Sequence, residues 1–252
     1  MKKLWILLPV LLLVACYVVV PEVPVPTPTE TIIPSPSETI EWFPPSSTPE
    51  PFSTTAVNPT QEIRSEIGEV IFKDDFDSPE DWTVPQSAKG QINVSGGEIN
   101  IIINEPKALM FGTLEKPDLA DFYAEITANP VLCSGGDEYG FLFRTFGWDQ
   151  YYRLTVTCNG EVRMDKLVNG ELTNLYPPTR SGSVPVGAPS ISKLEILTMR
   201  DEIRVFINGD PQFTVFDQDL KVGSFGVYAR SAGETAVTVS FSELIVREVI
   251  PK

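Results

Sequence analysis

Turn dipeptides divide much of the chain into short segments of strand-forming residues. They are Gly96-Gly97, Gly135-Gly136, Asn159-Gly160, Asn169-Gly170 and Asn208-Gly209. Such pairs accept the positive φ values that tight hairpin turns require. The segments between them are rich in β-branched and aromatic residues, and none shows the 3.6-residue apolar period of a helix. This pattern predicts an all-β fold in which about fourteen short strands pack as a two-sheet antiparallel sandwich.

Residues 1–16 have the composition of an export signal. Met1-Lys2-Lys3 is basic, residues 4–14 are apolar over the length of a signal-peptide core, and Leu13-Val14-Ala15-Cys16 completes the segment. This last motif resembles the lipobox of bacterial lipoproteins, which implies cleavage before Cys16 and acylation of its thiol and new amino group. Lipid chains on Cys16 would anchor the protein to a membrane and place the rest of it in the extracytoplasmic part of the bacterial cell envelope. The alternative is an uncleaved membrane helix, although the apolar run is short for a span and contains Pro9.

Residues 17–66 are dominated by proline, threonine, serine and glutamate, in runs such as PTPTE, PSPSE and PPSSTPEP. Proline fixes φ and cannot donate to a β-ladder, so this composition predicts a disordered, extended spacer without a core of its own. We therefore predict three parts. A signal peptide with its lipobox occupies 1–16, a tether occupies 17–66, and a folded β-sandwich domain occupies 67–252.

The chain carries a formal net charge of −15 and contains no histidine. Nucleic acid is a poor partner for so acidic a chain, because its phosphates would be repelled. The absence of histidine excludes catalytic triads that use it as a base, and it excludes metal sites that use it as a ligand.

Residues 139–158 (YGFLFRTFGWDQYYRLTVTC) are predicted to form a β-hairpin about a loop at 147–150. Pairing about this loop directs two apolar pairs inward, Phe143 with Leu154 and Phe141 with Val156. The same register places Arg144 opposite Arg153 on the outer face. A three-residue loop at 159–161 would then turn Val162 and Met164 inward, beside Val156 and Leu154, because a one-residue slip reverses every side chain.

The outer face of this hairpin and its neighbouring strand is the candidate ligand site. It is predicted to collect Arg144, Phe146, Trp148, Tyr151, Arg153, Arg163 and Asp165. One interpretation is a solvated, salt-bridged face in which Asp165 lies diagonally from Arg153. The other is a ligand platform, where aromatic rings stack on sugars and the arginines donate to hydroxyls or carboxylates.

Several motifs of the domain resemble those of one family. They are DDF at 74–76 with Trp82, GFLFR at 140–144, YYRLTV at 151–156, NGE at 159–161, VFINGDP at 205–211, VGSFGVYA at 222–229 and VSFSELIV at 239–246. Together they resemble a concanavalin A-like lectin/glucanase sandwich, and they are most similar to the laminin-G-like and 3-keto-disaccharide-hydrolase-type domains of bacterial lipoproteins. The resemblance implies a jelly roll of two curved antiparallel sheets with about six or seven strands each, whose concave face is the usual groove for glycans.

Related domains often hold calcium between their N-terminal and C-terminal strands, and Asp75 and Asp77 are the oxygen-rich candidates for such a site here. The C-terminal partner position holds Ser242 where relatives often carry Asp. Glucanases of this superfamily carry the acidic run E-x-D-x-x-E, which does not occur in this chain. We assign no catalytic residues from the sequence, and calcium is the only cofactor that it suggests.

Cys133 and Cys158 remain as an even pair once Cys16 is acylated, and an extracytoplasmic compartment is oxidising. We predict that they form a disulfide; the alternative is two buried free thiols. We expect both to lie at the same end of one sheet with a strand between them. The loop that Cys133 opens would then fold over the strand end, using the conformational freedom of Gly135-Gly136.

We therefore expect a lipid-anchored envelope protein that displays a carbohydrate-binding or adhesion domain. Its partners would be the membrane, through the anchor, and a polysaccharide or other glycan. Two alternatives stay open: a structural module that binds an envelope protein, and an enzyme that acts on a 3-keto-disaccharide or a glucan.

Overall fold

The computed structural model describes residues 66–233 and 235–250. The predictions of a lipobox at Cys16 and of a tether at 17–66 fall almost entirely outside these residues. Within the described residues there is no helix of the length and apolar character needed to cross a membrane.

The described residues form fifteen β-strands and one short 3₁₀-helix at Pro79–Asp81. The first eight strands are β1 Ile67–Asp74, β2 Trp82–Thr83, β3 Gly90–Ser95, β4 Glu98–Ile103, β5 Leu109–Leu114, β6 Phe122–Leu132, β7 Glu138–Phe146 and β8 Gln150–Thr157. The other seven are β9 Glu161–Val168, β10 Glu171–Arg180, β11 Ser192–Met199, β12 Glu202–Ile207, β13 Asp210–Phe216, β14 Ser224–Arg230 and β15 Val237–Val249.

The strands form two antiparallel sheets that pack as a jelly-roll sandwich, which confirms the predicted fold class. The eight-stranded sheet has the order β13-β12-β11-β6-β15-β4-β3, and β1 also pairs with the long strand β15. The seven-stranded sheet has the order β10-β9-β8-β7-β14-β5-β2. Strand β10 runs on through Pro177 and Pro178, which an edge strand tolerates because proline removes one ladder donor.

Aromatic rings from both sheets fill the core between them. Phe141 of β7 stacks on Phe225 of β14, with ring centroids 5.7 Å apart. Phe122, from the other sheet, meets Phe225 edge-on at 5.0 Å. All three rings are fully buried, so the centre of the seven-stranded sheet is fixed against β6 by large apolar contacts.

The predicted hairpin forms as β7 and β8, but its register differs by two residues. Phe141 pairs with Leu154, and Phe143 pairs with Tyr152. The ladder is then interrupted by a bulge between Phe143 and Phe146. A shift of two residues leaves every side chain on its own face, so the apolar residues predicted to point inward are all buried: Phe141, Phe143, Leu154 and Val156.

The bulge overturns the prediction that Arg144 faces outward opposite Arg153, whose actual partner across β7 is Leu142. Arg144 has a φ of 46°, a left-handed conformation that reverses the alternation of side chains. Its guanidinium group is 1% exposed and donates to three backbone carbonyls at the end of the sandwich, those of Ala120, Arg200 and Leu220. Burial lowers the pKa of this guanidinium group.

The turn between β8 and β9 keeps Val162 and Met164 inward, as predicted. Val162 pairs with Val156, and Met164 pairs with Leu154. The connection consists of residues 158–160 rather than the predicted 159–161. As a result, Asp165 lies directly opposite Arg153, not diagonally from it.

Cys133 and Cys158 form a disulfide with a Cα–Cα distance of 6.1 Å, which confirms the predicted pairing. The expected placement of both cysteines at the same end of one sheet was wrong, because they belong to different sheets. Cys133 follows β6 of the eight-stranded sheet, and Cys158 follows β8 of the seven-stranded sheet. The bond therefore ties the two layers together, and no loop has to fold over an intervening strand.

Candidate functional site

The outer face of the seven-stranded sheet carries most of the residues that the sequence singled out. Its centre is a small apolar cluster of Leu142, Tyr151 and Tyr228, which lies on the opposite side of the sheet from the main core. Gly140 makes room for this cluster. A Cβ atom at Gly140 would lie 2.8 Å from the Tyr228 ring and only 1.9 Å from the Leu154 carbonyl oxygen. The ring of Tyr228 therefore packs directly across the backbone of β7.

Three aromatic residues form what we call the aromatic shelf: Phe111, Trp148 and Tyr151. Trp148, in the β7–β8 loop, lies against Phe111 of β5 with centroids 4.9 Å apart, and Phe111 lies 6.3 Å from Tyr151. Tyr151 is only 7% exposed, whereas Trp148 is 45% exposed and Phe146 beside it is 70% exposed. The shelf therefore has a fixed base and presents an open indole ring to solvent.

Five charged residues beside the shelf pair with one another, and we call them the ion-pair network: Glu138, Arg153, Arg163, Asp165 and Arg230. Asp165 Oδ2 accepts from Arg153 Nη2 and Arg163 Nε, both at 2.8 Å. Arg163 also donates two bonds of 3.0 Å to the two oxygens of Glu138, and Arg230 adds a third at 2.9 Å. Each carboxylate is thus held by two arginines, an arrangement with good geometry for charge-assisted bonds.

The network is largely buried, and its three arginines and two carboxylates leave it with one net positive charge. Burial opposes the ionisation of Asp165, but hydrogen bonds from Arg163 and Arg153 outweigh it and hold the pKa of Asp165 below its usual range. The guanidinium group of Arg153 lies over the Tyr228 ring, 5.3 Å from its centroid. Its Nε has no hydrogen-bond partner among the described residues. The arginines that the sequence suggested for ligand binding are therefore mostly engaged by protein carboxylates.

Beside the shelf lies a pocket of about 390 Å³, which we call the hydroxyl pocket. Four hydroxyl residues from four strands line it: Thr83 of β2, Thr113 of β5, Thr145 of β7 and Ser224 of β14. Glu115, Asp118 and Trp148 also line it. Thr83 and Thr113 are direct partners across the sheet, so the register of β2 and β5 assembles two of the hydroxyls.

Ser224 is distinctive within the hydroxyl pocket. It is 2% exposed, and its hydroxyl has no hydrogen-bond partner among the described residues. Burying an unpaired hydroxyl costs free energy, and such groups are uncommon in native structures. A ligand or water in the pocket would supply a partner after rotation of the serine side chain, which has three staggered positions available.

The structure brings together six of the seven residues predicted for the ligand face. Trp148, Tyr151 and Phe146 lie at the shelf, while Arg153, Arg163 and Asp165 form part of the network. Arg144 does not join them. The sequence reasoning missed Phe111 and, apart from Phe146 and Trp148, the residues of the hydroxyl pocket. Strict alternation along β5 would have placed Phe111 and Thr113 on one face.

The calcium site suggested at Asp75 and Asp77 finds no support in the described residues. Asp75 pairs with Lys73 at 2.6 Å, and the two oxygens of Asp74 accept from the Phe76 backbone and from the Trp82 indole. Asp75 and Asp77 line an acidic depression of about 710 Å³. The described residues include no group of three or more Asp, Glu, Cys or His side chains placed to hold a metal ion.

Comparison with known proteins identifies the fold. No family model and no curated protein matches the chain. Among solved structures, the carbohydrate-binding module CBM66 from Bacillus subtilis superposes with a TM-score of 0.53 at 14% identity, over 67% of this chain and 96% of the module. The catalytic domain of an endo-1,3-beta-glucanase (laminarinase) from Thermotoga petrophila superposes with a TM-score of 0.53 at 12% identity, over 74% of this chain and 100% of that domain.

A third solved structure is a protein of unknown function with a galectin-like fold from Bacillus subtilis. It gives a TM-score of 0.53 at 13% identity, over 74% of this chain and 99% of the other. At these identities the likeness shows the fold alone. The domain is thus a concanavalin A-like jelly roll, the architecture that its sequence motifs resembled.

Proposed function

We propose that the domain is a carbohydrate-binding module that binds a glycan on the outer face of its seven-stranded sheet. The observation that carries this proposal is the half-exposed ring of Trp148, held against Phe111 and bordering the hydroxyl pocket. An aromatic plane next to convergent polar groups suits a sugar ring, which has an apolar face and a rim of hydroxyls. The names of two similar structures, a carbohydrate-binding module and a glucanase, agree with this function.

The ion-pair network has a supporting role in this proposal. Because each of its carboxylates is bonded to two arginines, it holds β7, β8 and β9 rigidly beside the shelf. A site on rigid strands keeps its groups in place before the ligand arrives, which lowers the entropy cost of binding. We therefore place Arg153, Arg163 and Asp165 beneath and beside the ligand, as groups that position the site.

We also propose that the domain is displayed outside the cytoplasm on a lipid anchor at Cys16, with residues 17–66 as its tether. The lipobox motif and the proline-rich composition support this arrangement. The disulfide between Cys133 and Cys158 agrees with it, since such bonds persist in oxidising compartments.

Binding is tested by titrating the full chain with a panel of soluble polysaccharides and oligosaccharides in a calorimeter. We expect saturable binding of at least one glycan and a loss of about fivefold or more in affinity for Trp148→Ala, because one stacked ring contributes on the order of 1 kcal/mol or more. Phe216→Ala is the matched control, since Phe216 is also an exposed aromatic residue but ends β13 of the other sheet. If Trp148→Ala binds as tightly as the wild type, the shelf is not the site. If no glycan binds, a protein-interaction module becomes the better hypothesis.

A further inference from the structure

The hydroxyl pocket has an uneven distribution of charge. Glu115 and Asp118 line it, and the other residues that line it are uncharged. Neither carboxylate forms an ion pair with a described residue. Glu115 also lines the neighbouring acidic depression, together with Lys116, and Lys116 does not line the hydroxyl pocket. Both carboxylates therefore offer free acceptors at the mouth of a pocket that contains no cation.

The other polar groups that line the pocket are neutral. Thr83 and Thr113 present hydroxyls side by side, and the buried hydroxyl of Ser224 lacks a partner. Hydroxyls both donate and accept, so they suit the hydroxyl rim of a sugar. The indole of Trp148 forms one wall and is open on its outer side. These groups make the pocket suitable for one sugar residue. The free carboxylates then select among sugars according to the charge of their substituents.

We infer that the hydroxyl pocket selects a sugar residue bearing a free amino group, and that it disfavours uronic acids; this inference rests on the proposed function. An ammonium group has three donors and a positive charge, and it matches two unpaired carboxylates. A uronic carboxylate would meet Glu115 and Asp118 as like charges. The arginines that would recognise a uronic acid are held by Glu138 and Asp165 in the ion-pair network.

The test compares three oligosaccharides of equal length by calorimetry on the full chain. They are an oligomer of glucosamine, its N-acetylated form and an oligomer of a uronic acid. We expect the glucosamine oligomer to bind about fivefold more tightly than the N-acetylated one at low salt, the order of magnitude for two exposed ion pairs. The difference should shrink in 0.5 M salt because exposed charges are then screened. We expect the uronic oligomer to bind most weakly.

The variant Glu115→Gln/Asp118→Asn should abolish the preference for the amino sugar while leaving the affinity for the N-acetylated oligomer within about twofold. The matched control is Glu69→Gln/Asp201→Asn, which removes the same charge from exposed carboxylates elsewhere and should keep the preference. A second variant, Ser224→Ala, should weaken binding of all sugars by about fivefold without lowering the unfolding midpoint, because its hydroxyl has no protein partner to lose.

The outcomes separate the inference from the proposed function. Binding of the N-acetylated oligomer with no gain for the free amine, or tighter binding of the uronic oligomer, overturns the inference and leaves glycan binding intact. If the control variant Glu69→Gln/Asp201→Asn also loses the preference for the amino sugar, the inference is overturned as well, because the effect would then come from net charge. Binding of none of the three oligomers, nor of any glycan in the wider panel, overturns both.

Discussion

Reduction of the Cys133–Cys158 disulfide should destabilise the domain by an amount that follows from its place in the chain. The two cysteines are separated by 25 residues. For a closed loop of that size, the chain-entropy relation gives about 12 cal/mol/K, or about 3.5 kcal/mol at 25 °C. In a domain of this size, 1 kcal/mol shifts the midpoint of thermal unfolding by about 2–4 °C, so we expect a drop of about 7–14 °C.

The position of the bond in the fold supports the full expected loss of stability on reduction. It joins β6 and β8, which lie in different sheets, so the two layers cannot separate fully while it is intact. The measurement is urea unfolding of the same protein with and without reductant, followed by tryptophan fluorescence. A Cys16→Ser background leaves only two thiols. This comparison removes no side-chain heavy atom, whereas a substitution of the buried cysteines would.

The substituted form Cys133→Ala/Cys158→Ala serves as the control. It should be no more stable than the reduced protein, and reductant should not change it further. Unfolding free energies of the oxidised and reduced proteins that agree within about 0.5 kcal/mol would refute the argument. Two thiols that react with an alkylating agent before any reduction would show that the bond does not form.

Three further predictions concern other parts of the chain. Arg144→Met should lower the free energy of unfolding by about 3 kcal/mol in urea titrations, because three carbonyls lose their donor; an unchanged midpoint would contradict this account. Asp165→Asn should destabilise the domain at pH 7. That loss should shrink progressively as the pH falls from about 4, the pKa of an unfolded aspartate, through the lowered pKa of Asp165 in the folded protein, because protonation removes the charge that the arginines stabilise; an equal loss at pH 7 and pH 3 would show that charge is not the cause. Cys16→Ser should yield an unprocessed or released protein in cell fractionation, and normal processing and retention would exclude the lipid anchor.

The sequence alone determined which face the apolar residues of the central strands occupy. Strand side chains alternate with a period of two, so a register error of two residues does not change burial. For this reason Phe141, Phe143, Val162 and Met164 could be placed in the core although their partners were assigned incorrectly. The turn dipeptides and the even pair of cysteines likewise depend on local chemistry that is visible in the chain.

The direction of Arg144 depended on tertiary structure. Alternation predicted an outward side chain, but the bulge at its position reverses it, and the carbonyls of Ala120 and Leu220 then hold it inside. No pattern in the residues from 139 to 158 shows the bulge, because it is stabilised by contacts with segments far away in the sequence. The disulfide also depended on tertiary structure. Cys133 and Cys158 are close enough to bond because β6 lies in the eight-stranded sheet, opposite the sheet that contains β8.

The hydroxyl pocket is the clearest case of a feature that only the tertiary structure decided. Thr83, Thr113 and Ser224 are far apart in sequence and come together because β2, β5 and β14 are neighbours in the seven-stranded sheet. Each residue by itself is an ordinary strand residue. Sheet order is set by the burial of all strands at once, so a single sequence shows the local alternation but not the neighbours that turn it into a site.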